Sequence, residues 1–275
     1  SGTNNFGVYL YGASNRITSN GGAISVTGIG TSTSEAVRLD TSAAINSTAN
    51  GPITITADSI SILTGGTINS GSGTTTIKPF TAGANSTLID LGGEDSLTGS
   101  PLTLGLSDGE LDRITAGRLI IGTAGVGGIT VSSDITRPAS TNMQLVSAGD
   151  ITISGGQINT GGGTLLLDSG VTPAAIKAIK SGTDVTASTL SFSSDLAIVV
   201  NGTTVDTQYT QLNVAGIVNL TVVDLVISGS YTPVASDSFI IVANDGSDPV
   251  VGTFNGLSEG TTVSVNGTNK KLTYL

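Results

Sequence analysis

The sequence predicts an all-β protein: a right-handed parallel β-helix, or solenoid, followed by a β-rich C-terminal region. Three observations lead to this prediction. The chain is rich in aliphatic residues and poor in charged ones, short runs of alternating polarity recur along it, and one glycine-rich segment is repeated. The handedness follows from the general preference for right-handed crossovers between parallel strands.

The composition indicates a packed protein with an aliphatic core. Hydrophobic residues make up 37% of the 275 positions, but only 4% are aromatic and Trp is absent, so we expect a core of Ile, Leu, Val and Ala. Charged residues amount to 11%, less than half of the usual share of about 25%. Disordered chains combine low hydrophobicity with high charge, and this chain does the opposite.

The charge balance and the missing residue types exclude several functions. Ten basic and twenty acidic residues give a net charge of −10. This disfavours nucleic acid and anionic membrane surfaces as partners, because both are bound through Lys and Arg. Without Cys there are no disulfides and no thiolate chemistry. No apolar run reaches the roughly 20 residues that span a bilayer, so we expect no membrane insertion.

The predicted strands are short runs separated by Gly, Asn, Ser or Asp. Ile53–Thr56 and Ile151–Ile153 alternate apolar and polar residues, which places one side of each strand inside and the other outside. The runs predicted as strands are Ala23–Thr27, Ile53–Thr56, Ile60–Leu63, Thr74–Ile77, Leu119–Ile121, Ile129–Ser132, Ile151–Ser154 and Thr164–Leu167.

An internal repeat indicates a stack of similar turns. Gly65–Thr74 (GGTINSGSGT) matches Gly155–Thr164 (GGQINTGGGT) without a gap. Gly and Asn suit the tight corners of such a fold, since both tolerate positive φ. With about 20 residues per rung, residues 1–170 would form roughly eight rungs, stacked about 4.8 Å apart into a rod of about 40 Å.

Two segments interrupt the strand pattern. Ser107–Ile114 is predicted to be a short helical turn, because a Ser or Asp cap precedes acidic residues. Residues 172–180 are predicted to be helical, since helix formers follow an early Pro and Lys lies near the end. We therefore divide the chain into a β-helix over residues 1–170, a short helical connector over 171–182 and a C-terminal β-rich region over 183–275.

The C-terminal region differs in style from the repeats. Leu190–Val200 and Leu212–Val226 are longer and more continuously apolar than the earlier runs. Asn244–Gly246 and Asn266-Gly267 are predicted to be hairpin or corner turns. The region is either the end of the same β-helix or a small separate β domain.

Several segments resemble bacterial surface proteins. Leu104–Gly117 (LGLSDGELDRITAG), the following Leu119–Gly122 and Gly128–Val131, and the repeated Gly-Gly-x-Ile-Asn-x-Gly-x-Gly-Thr units resemble filamentous-haemagglutinin-like proteins. The C-terminal part resembles the end of autotransporter-like passengers; the residues are Tyr209–Val214, Tyr231–Pro233, Ser236–Phe239, Asn244–Gly246 and Gly252–Gly260. Together the similar segments are spread over the chain from Gly65 to Gly260.

The resemblance implies a segment of a very large bacterial protein built on right-handed parallel β-helices. It also implies secretion, and a place at the bacterial cell surface or outer membrane. It carries no catalytic residue over to this sequence, because such repeats are mainly scaffold.

The residue inventory excludes common catalytic sites. Without His or Cys, a Ser-His-Asp triad, a thiol nucleophile and a zinc–thiolate site are all ruled out. We predict no catalytic and no cofactor-binding residues, and no cofactor.

Paired carboxylates leave one enzymatic alternative open, a carbohydrate-active β-helix enzyme. Glycoside hydrolysis needs two acids at a defined separation. The alternative predicts a groove in which two or three of the following acids converge: Glu94, Asp95, Asp108, Glu110, Asp112 and Asp134. A solvated turn and a helix start are favoured instead, because residues 81–170 contain no aromatic platform for a sugar.

A calcium site is a weaker candidate. Asn244, Asp245 and Asp248 offer oxygen ligands around Gly246. The spacing of an EF-hand and the nonapeptide of calcium-binding β-rolls are both missing, so a plain turn is favoured.

We therefore predict a non-catalytic stalk or scaffold of a secreted or surface-exposed adhesin-type protein. The expected partners are a host or cell-surface glycan or protein, and neighbouring β-helix segments of the same chain or like subunits. A further alternative is an extracellular filament subunit, which would polymerise through exposed end rungs and grow longer with concentration.

Overall fold

The computed structural model describes residues 5–83, 86–170 and 174–274. It is an all-β solenoid of about nine turns, in which strands of successive turns pair in parallel. The predicted fold class is confirmed.

The elements are short throughout. The first thirteen strands and the helix are β1 (Val8–Tyr11), β2 (Arg16–Ser19), β3 (Ile24–Thr27), β4 (Val37–Asp40), β5 (Ala44–Ser47), β6 (Ile53–Thr56), β7 (Ile60–Ile62), β8 (Thr67–Asn69), β9 (Thr74–Lys78), β10 (Leu88–Leu91), β11 (Thr103–Leu106), α1 (Asp108–Leu111), β12 (Ile114–Thr115) and β13 (Arg118–Gly122). The later strands are β14 (Ile129–Val131), β15 (Ile135–Thr136), β16 (Asn142–Val146), β17 (Ile151–Ile153), β18 (Ile158–Asn159), β19 (Thr164–Asp168), β20 (Ala175–Ala178), β21 (Val185–Phe192), β22 (Asp195–Val199), β23 (Leu212–Asn219), β24 (Leu225–Ser228), β25 (Val242–Asn244), β26 (Val250–Val251), β27 (Thr262–Val265) and β28 (Thr268–Lys271).

Successive turns contribute strands to three faces. The first face is the sheet β1-β4-β7 and, after a break, the sheet β11-β10-β14-β17-β20-β22-β24. The second face is β2-β5-β8-β12 and, after another break, β15-β18, which joins the long strand β21. The third face runs without a break as β3-β6-β9-β13-β16-β19-β21-β23. The third face therefore connects all parts of the solenoid.

The core is a stack of aliphatic rows that follows from the alternating sequence pattern. Ile121, Leu145 and Leu167 lie in register on neighbouring strands of the third face and are fully buried. The polar residues between them face outward. Each side chain removed from water in this way contributes about 1.5–3 kcal/mol, and the rows join into one continuous core cluster.

The turns are longer than the sequence predicts. Asn142 and Thr164, which lie one turn apart, are separated by 22 positions in the sequence. Asn201 and Ser230, also one turn apart, are separated by 29 positions. Among the described residues up to 170, the third face holds six strands, from β3 to β19. The prediction of roughly eight rungs is wrong, chiefly because β10, β11 and α1 all lie between β9 and β13.

The repeated segments form equivalent corners. The Asn69 side-chain oxygen accepts a hydrogen bond from the backbone N–H of Gly71 at 2.8 Å, and Asn159 does the same for Gly161 at 2.9 Å. Both glycines have positive φ, at 57° and 65°, where other residues are strained. The repeat thus encodes a corner of the solenoid.

Most predicted elements are confirmed. Every run predicted as a strand is a strand, to within one or two residues at its ends. The helical turn predicted near Ser107 is α1.

The helix predicted over 172–180 is wrong in its described part. Ala175–Ala178 is strand β20, which pairs with β17 and β22. The Asp150 carboxylate accepts a hydrogen bond from the backbone N–H of Ala175 at 2.9 Å and pairs with the ammonium group of Lys177. Strand pairing on both sides outweighs the helix propensity of Ala and Lys.

The described part of the C-terminal region continues the solenoid, because strands β21 to β26 join the existing sheets. The connector was predicted over 171–182, of which residues 171–173 lie outside the described residues. Its described part does not interrupt the ladders. Strands β27 and β28 then form an antiparallel hairpin around Asn266-Gly267, the predicted turn. Val265 and Leu272 of this hairpin segment are buried against the core.

Candidate functional site

The first face is interrupted between β7 and β11, which lie side by side without sharing a ladder. Asp95 bridges this gap, because its carboxylate accepts hydrogen bonds from the backbone N–H of Ile60 in β7 at 2.9 Å and of Gly105 in β11 at 2.8 Å. A Cβ atom at Gly105 would lie 2.1 Å from the carbonyl carbon of Glu94, so only glycine fits this approach. The carboxylate replaces the backbone acceptors that a paired strand would supply.

Glu110 and Arg113 complete the same bridge. The Glu110 carboxylate accepts hydrogen bonds from the backbone N–H of Ile62 and of Ser107, both at 3.0 Å. The Arg113 guanidinium donates to the backbone carbonyl of Ile62 at 2.9 Å. Helix α1 positions Glu110, and Arg113, which follows the helix, bonds back to the carbonyl of Gly109. We call this boundary between β7 and β11, bridged by Asp95, Glu110 and Arg113, the first seam.

A second seam lies on the second face, between β12 and β15. Asp108 accepts a hydrogen bond from the backbone N–H of Thr136 at 2.7 Å. Arg137, which is only 4% exposed, donates to the carbonyl of Ile114 at 2.5 Å and to that of Leu111. Buried charges need such partners to be tolerated. Charged side chains therefore bridge both breaks in the ladders.

Burial changes the acidity of the seam residues. It raises the pKa of Asp95 to about 8, an effect that the hydrogen bonds from Gly105 and Ile60 oppose and the nearby charge of Glu110 reinforces. Burial likewise lowers the pKa of Arg137, against the attraction of Asp112. Asp95 therefore retains its proton to a higher pH than an exposed aspartate does.

The remaining acids of the enzymatic alternative are dispersed. Asp112 lies 4.0 Å from the guanidinium of Arg137. Asp134 accepts a hydrogen bond from the backbone N–H of Gln157 at 2.9 Å, at a corner. Glu94 is exposed.

The predicted acids therefore do not line a common groove. Asp95 and Glu110 approach each other, and a raised carboxyl pKa beside a second acid is typical of catalytic pairs. Both carboxylates, however, are bound to backbone N–H groups of the first seam, and neither lines the cavity described below. Asp95 and Glu110 are therefore arranged to join strands β7 and β11.

The calcium candidate forms a turn stabilised by its own side chains. Asp245 accepts hydrogen bonds from the backbone N–H and the hydroxyl of Ser247, at 3.1 and 2.8 Å, and these bonds lower the pKa of Asp245. The Asn244 amide donates to the carbonyl of Asp248 at 2.6 Å. Within residues 5–83, 86–170 and 174–274, no group of three His, Cys, Asp or Glu side chains is placed to hold a metal ion.

One buried acid was not predicted from the sequence. Asp184 is fully buried, and one of its oxygens accepts a hydrogen bond from the backbone N–H of Asn213 at 2.7 Å. Burial raises the pKa of Asp184 to about 6, although the Asn213 bond and the charge of Lys180 act in the opposite direction. An Asp that follows a Gly-Thr corner gives no sequence signal for burial, because its environment depends on the next turn of the solenoid.

A cavity of about 580 Å³ lies at the corner between the third and first faces. Small residues line it together with Asp168, Asp195 and Asp224. Asp168 accepts a hydrogen bond from the Gln144 amide at 3.4 Å, and Asp224 accepts one from the Asn255 amide at 2.9 Å. Among the described residues that line this cavity there is no aromatic side chain and none of the acids predicted from the sequence.

The fold and its seams define a parallel β-solenoid in which charged side chains join interrupted sheets. No family model matches the chain, and neither a curated protein nor a solved structure matches it. In the described part of the chain, no helix has the length and apolar character needed to cross a membrane.

Proposed function

We propose that the chain is a non-catalytic stalk or scaffold segment of a large secreted or surface-exposed bacterial adhesin-type protein. The observation that supports this most is the third face, whose parallel ladder runs unbroken from β3 to β23 over a continuous aliphatic core. Because each turn pairs with the next, the solenoid is a regular rod of stacked units. Such a rod suits a protein that spaces or displays binding regions.

The use of the charged residues also supports a scaffold. The segment that resembles filamentous-haemagglutinin-like proteins supplies Asp108, Glu110 and Arg113 to the two seams. These side chains hold strands together through hydrogen bonds to the backbone. The residues that carry the resemblance therefore have a structural role in this proposal: they bridge the two breaks in the ladders.

The proposed partners follow from the same role. Neighbouring β-helix segments would stack on the ends of the rod, and a host or cell-surface glycan or protein would bind along its sides. The low share of charged residues and the net charge of −10 are compatible with a secreted or cell-surface location.

The test of the scaffold proposal is small-angle X-ray scattering over a wide range of protein concentration. A scaffold segment should give an elongated particle whose largest dimension is constant. The stacked turns alone should span roughly 40 Å at about 4.8 Å per turn. Growth of the particle with concentration would favour the filament subunit and contradict the proposal.

A carbohydrate-active enzyme is the second candidate, and the cavity with Asp168, Asp195 and Asp224 is the observation that favours it. The experiment is incubation with neutral and acidic polysaccharides, followed by a reducing-end assay. The scaffold proposal expects no release of sugar. Release that stops in the Asp195→Asn and Asp224→Asn variants would establish the enzyme instead.

A further inference from the structure

Three aromatic rings form a cluster on the outer side of the first face, at its N-terminal end. The ring centres of Phe6 and Tyr9 are 4.9 Å apart, and those of Tyr9 and Tyr11 are 6.0 Å apart. The guanidinium carbon of Arg38 lies 5.2 Å from the Phe6 ring centre and 5.9 Å from that of Tyr9. We call Phe6, Tyr9 and Tyr11 the aromatic patch.

Strand geometry places the patch on the outside of the solenoid. Tyr9 and Tyr11 are two positions apart in β1, so they share one side of the strand. Parallel pairing sets Tyr9 beside Arg38 and Tyr11 beside Asp40 of β4. Tyr9 is 44% exposed and Tyr11 is 55% exposed. The register therefore builds a surface of rings flanked by charged groups.

Aromatic side chains elsewhere in the described chain are mostly used for packing. Tyr209 and Phe239 meet edge to face at 5.2 Å, and Phe254 lies 6.3 Å from Tyr274, within or against the core. Aromatic rings are only 4% of this sequence. Two neighbouring exposed tyrosines in such a chain indicate a contact surface, because a partner that covers exposed rings removes apolar surface from water and so forms a more stable complex.

We propose that the aromatic patch binds an uncharged oligosaccharide. A sugar ring has an apolar face that can stack on Tyr9 and Tyr11, and hydroxyl groups that can reach the polar atoms beside them. Asp40 supplies acceptors at this edge, and the Tyr9 hydroxyl lies 3.4 Å from its carboxylate. The patch thus combines ring faces with donors and acceptors.

The charges around the patch exclude anionic ligands. Arg38 contacts Glu35 and Asp40, each at 3.5 Å, so two carboxylates outweigh its one positive charge. The chain as a whole carries −10. Nucleic acid can also stack on aromatic rings, but it needs a basic groove that this surface lacks. An acidic glycan would be repelled for the same reason.

The size of the patch excludes a protein partner that binds by these rings alone. Three rings of about 150–250 Å² each, of which Tyr9 and Tyr11 are roughly half exposed and Phe6 is less exposed, offer on the order of 300 Å² or less. A stable protein–protein interface covers about 800 Å² on each partner. A few sugar units fit the smaller area.

The test is a titration of the whole chain with cellohexaose and, separately, with mannohexaose, in which tyrosine fluorescence reports binding. The chain has five Tyr and no Trp, so binding at Tyr9 and Tyr11 should change a large part of the signal. We expect a Kd of roughly 1 mM or tighter for at least one neutral hexaose. An acidic oligogalacturonate should bind at least about tenfold more weakly.

Variants locate the site. Tyr9→Ala and Tyr11→Ala should each weaken binding by about tenfold or more, while Tyr11→Trp should retain it. Ile240→Ala is the matched control, because Ile240 is 62% exposed and lies in the C-terminal part of the chain. Circular dichroism checks that each variant is folded.

Three outcomes would overturn the proposal: no response to either neutral hexaose, wild-type affinity in both Ala variants, or equal affinity for the acidic oligosaccharide. A fourth is self-association that the Tyr variants abolish without any glycan response, since it would assign the patch to a second copy of the chain. The glycan proposal does not depend on the scaffold role. Loss of glycan binding would leave the scattering result unchanged.

Discussion

The third face and the first face solve the same stacking problem in different ways. Along the third face, each strand from β3 to β23 pairs with its neighbour through backbone hydrogen bonds. On the first face, β7 shares no ladder with β11 beside it, and the side chains of Asp95, Glu110 and Arg113 satisfy its polar groups. A solenoid can therefore tolerate a missing ladder where charged side chains take over its hydrogen bonds.

The two solutions differ in how much depends on single residues. A ladder shares its hydrogen bonds among many backbone groups, which no substitution other than proline removes. A seam concentrates them in a few carboxylates and guanidinium groups. We expect the regular region to be sensitive to changes in core volume, and the seam to changes in charge and in pH.

The largest expected effect is in the regular region. Leu145→Ala removes a fully buried side chain between Ile121 and Leu167. The resulting cavity should lower the free energy of unfolding by about 2–5 kcal/mol, measured by urea denaturation. Gln144→Ala, the outward-facing neighbour, is the control and should cost less than about 1 kcal/mol. Similar losses in both variants would contradict a packed core at this row.

A smaller loss is expected at the first seam. Glu110→Ala leaves the backbone N–H groups of Ile62 and Ser107 without their acceptor. The free energy of unfolding should fall by about 1–3 kcal/mol. Glu94→Ala removes an exposed carboxylate nearby and should change it by less than about 0.5 kcal/mol. If the two variants were equally stable, the seam would not depend on Glu110.

The pH dependence of stability should also separate the two regions. Since the folded-state pKa of Asp95 is raised from 3.8 to about 8, its contribution is fully present below about pH 4 and is lost as pH rises towards 8. We expect the free energy of unfolding to fall as Asp95 ionises over this window, by an amount that the partial exposure of its side chain reduces.

The measurement is urea denaturation at several pH values, for the wild type and for Asp95→Asn. The variant carries no titrating group at this position, so its stability should fall less steeply between pH 4 and 8. Asp184, whose pKa is raised to about 6, contributes to the slope in both proteins. Identical slopes would show that Asp95 is not perturbed by burial.

The smallest expected effect is at the repeated corners. Asn69→Ala and Asn159→Ala each remove one side-chain hydrogen bond to a backbone N–H. Each should cost about 0.5–1.5 kcal/mol, measured by thermal or urea unfolding. The corner at Asn69 precedes the first seam and the corner at Asn159 belongs to the regular region. Equal losses would show that the seam does not weaken adjacent corners, whereas a much larger loss at Asn69 would show that it does.

The strands could be predicted because their signal is local. Ile53–Thr56 alternates in polarity, and its observed limits are those expected from that pattern. Strand β20 was missed because the residues that decide its conformation, such as Asp150, lie 25 positions away. The local helix propensity of its Ala and Lys residues was overruled by pairing with distant strands.

The seams could not be predicted because they depend on the number of residues in each turn. Asp95 meets Ile60 across 35 positions, and Glu110 meets Ile62 across 48. The sequence identified these acids as notable but gave no information about their backbone partners. The aromatic patch was not predicted. The spacing of Tyr9 and Tyr11 is compatible with a shared side of one strand, but the contact of Tyr9 with Arg38 depends on the length of the first turn.

The first seam also determines how the rod would respond to tension along its axis. Between β7–β9 and the strands that follow, force passes through the backbone on two faces only: β8 pairs with β12 over two residues and β9 with β13 over four. On the first face the force must pass through carboxylate side chains, whose bonds exchange with water more readily than those of a sheet. In a pulling experiment we expect the first face to open at this seam while its regular turns stay closed.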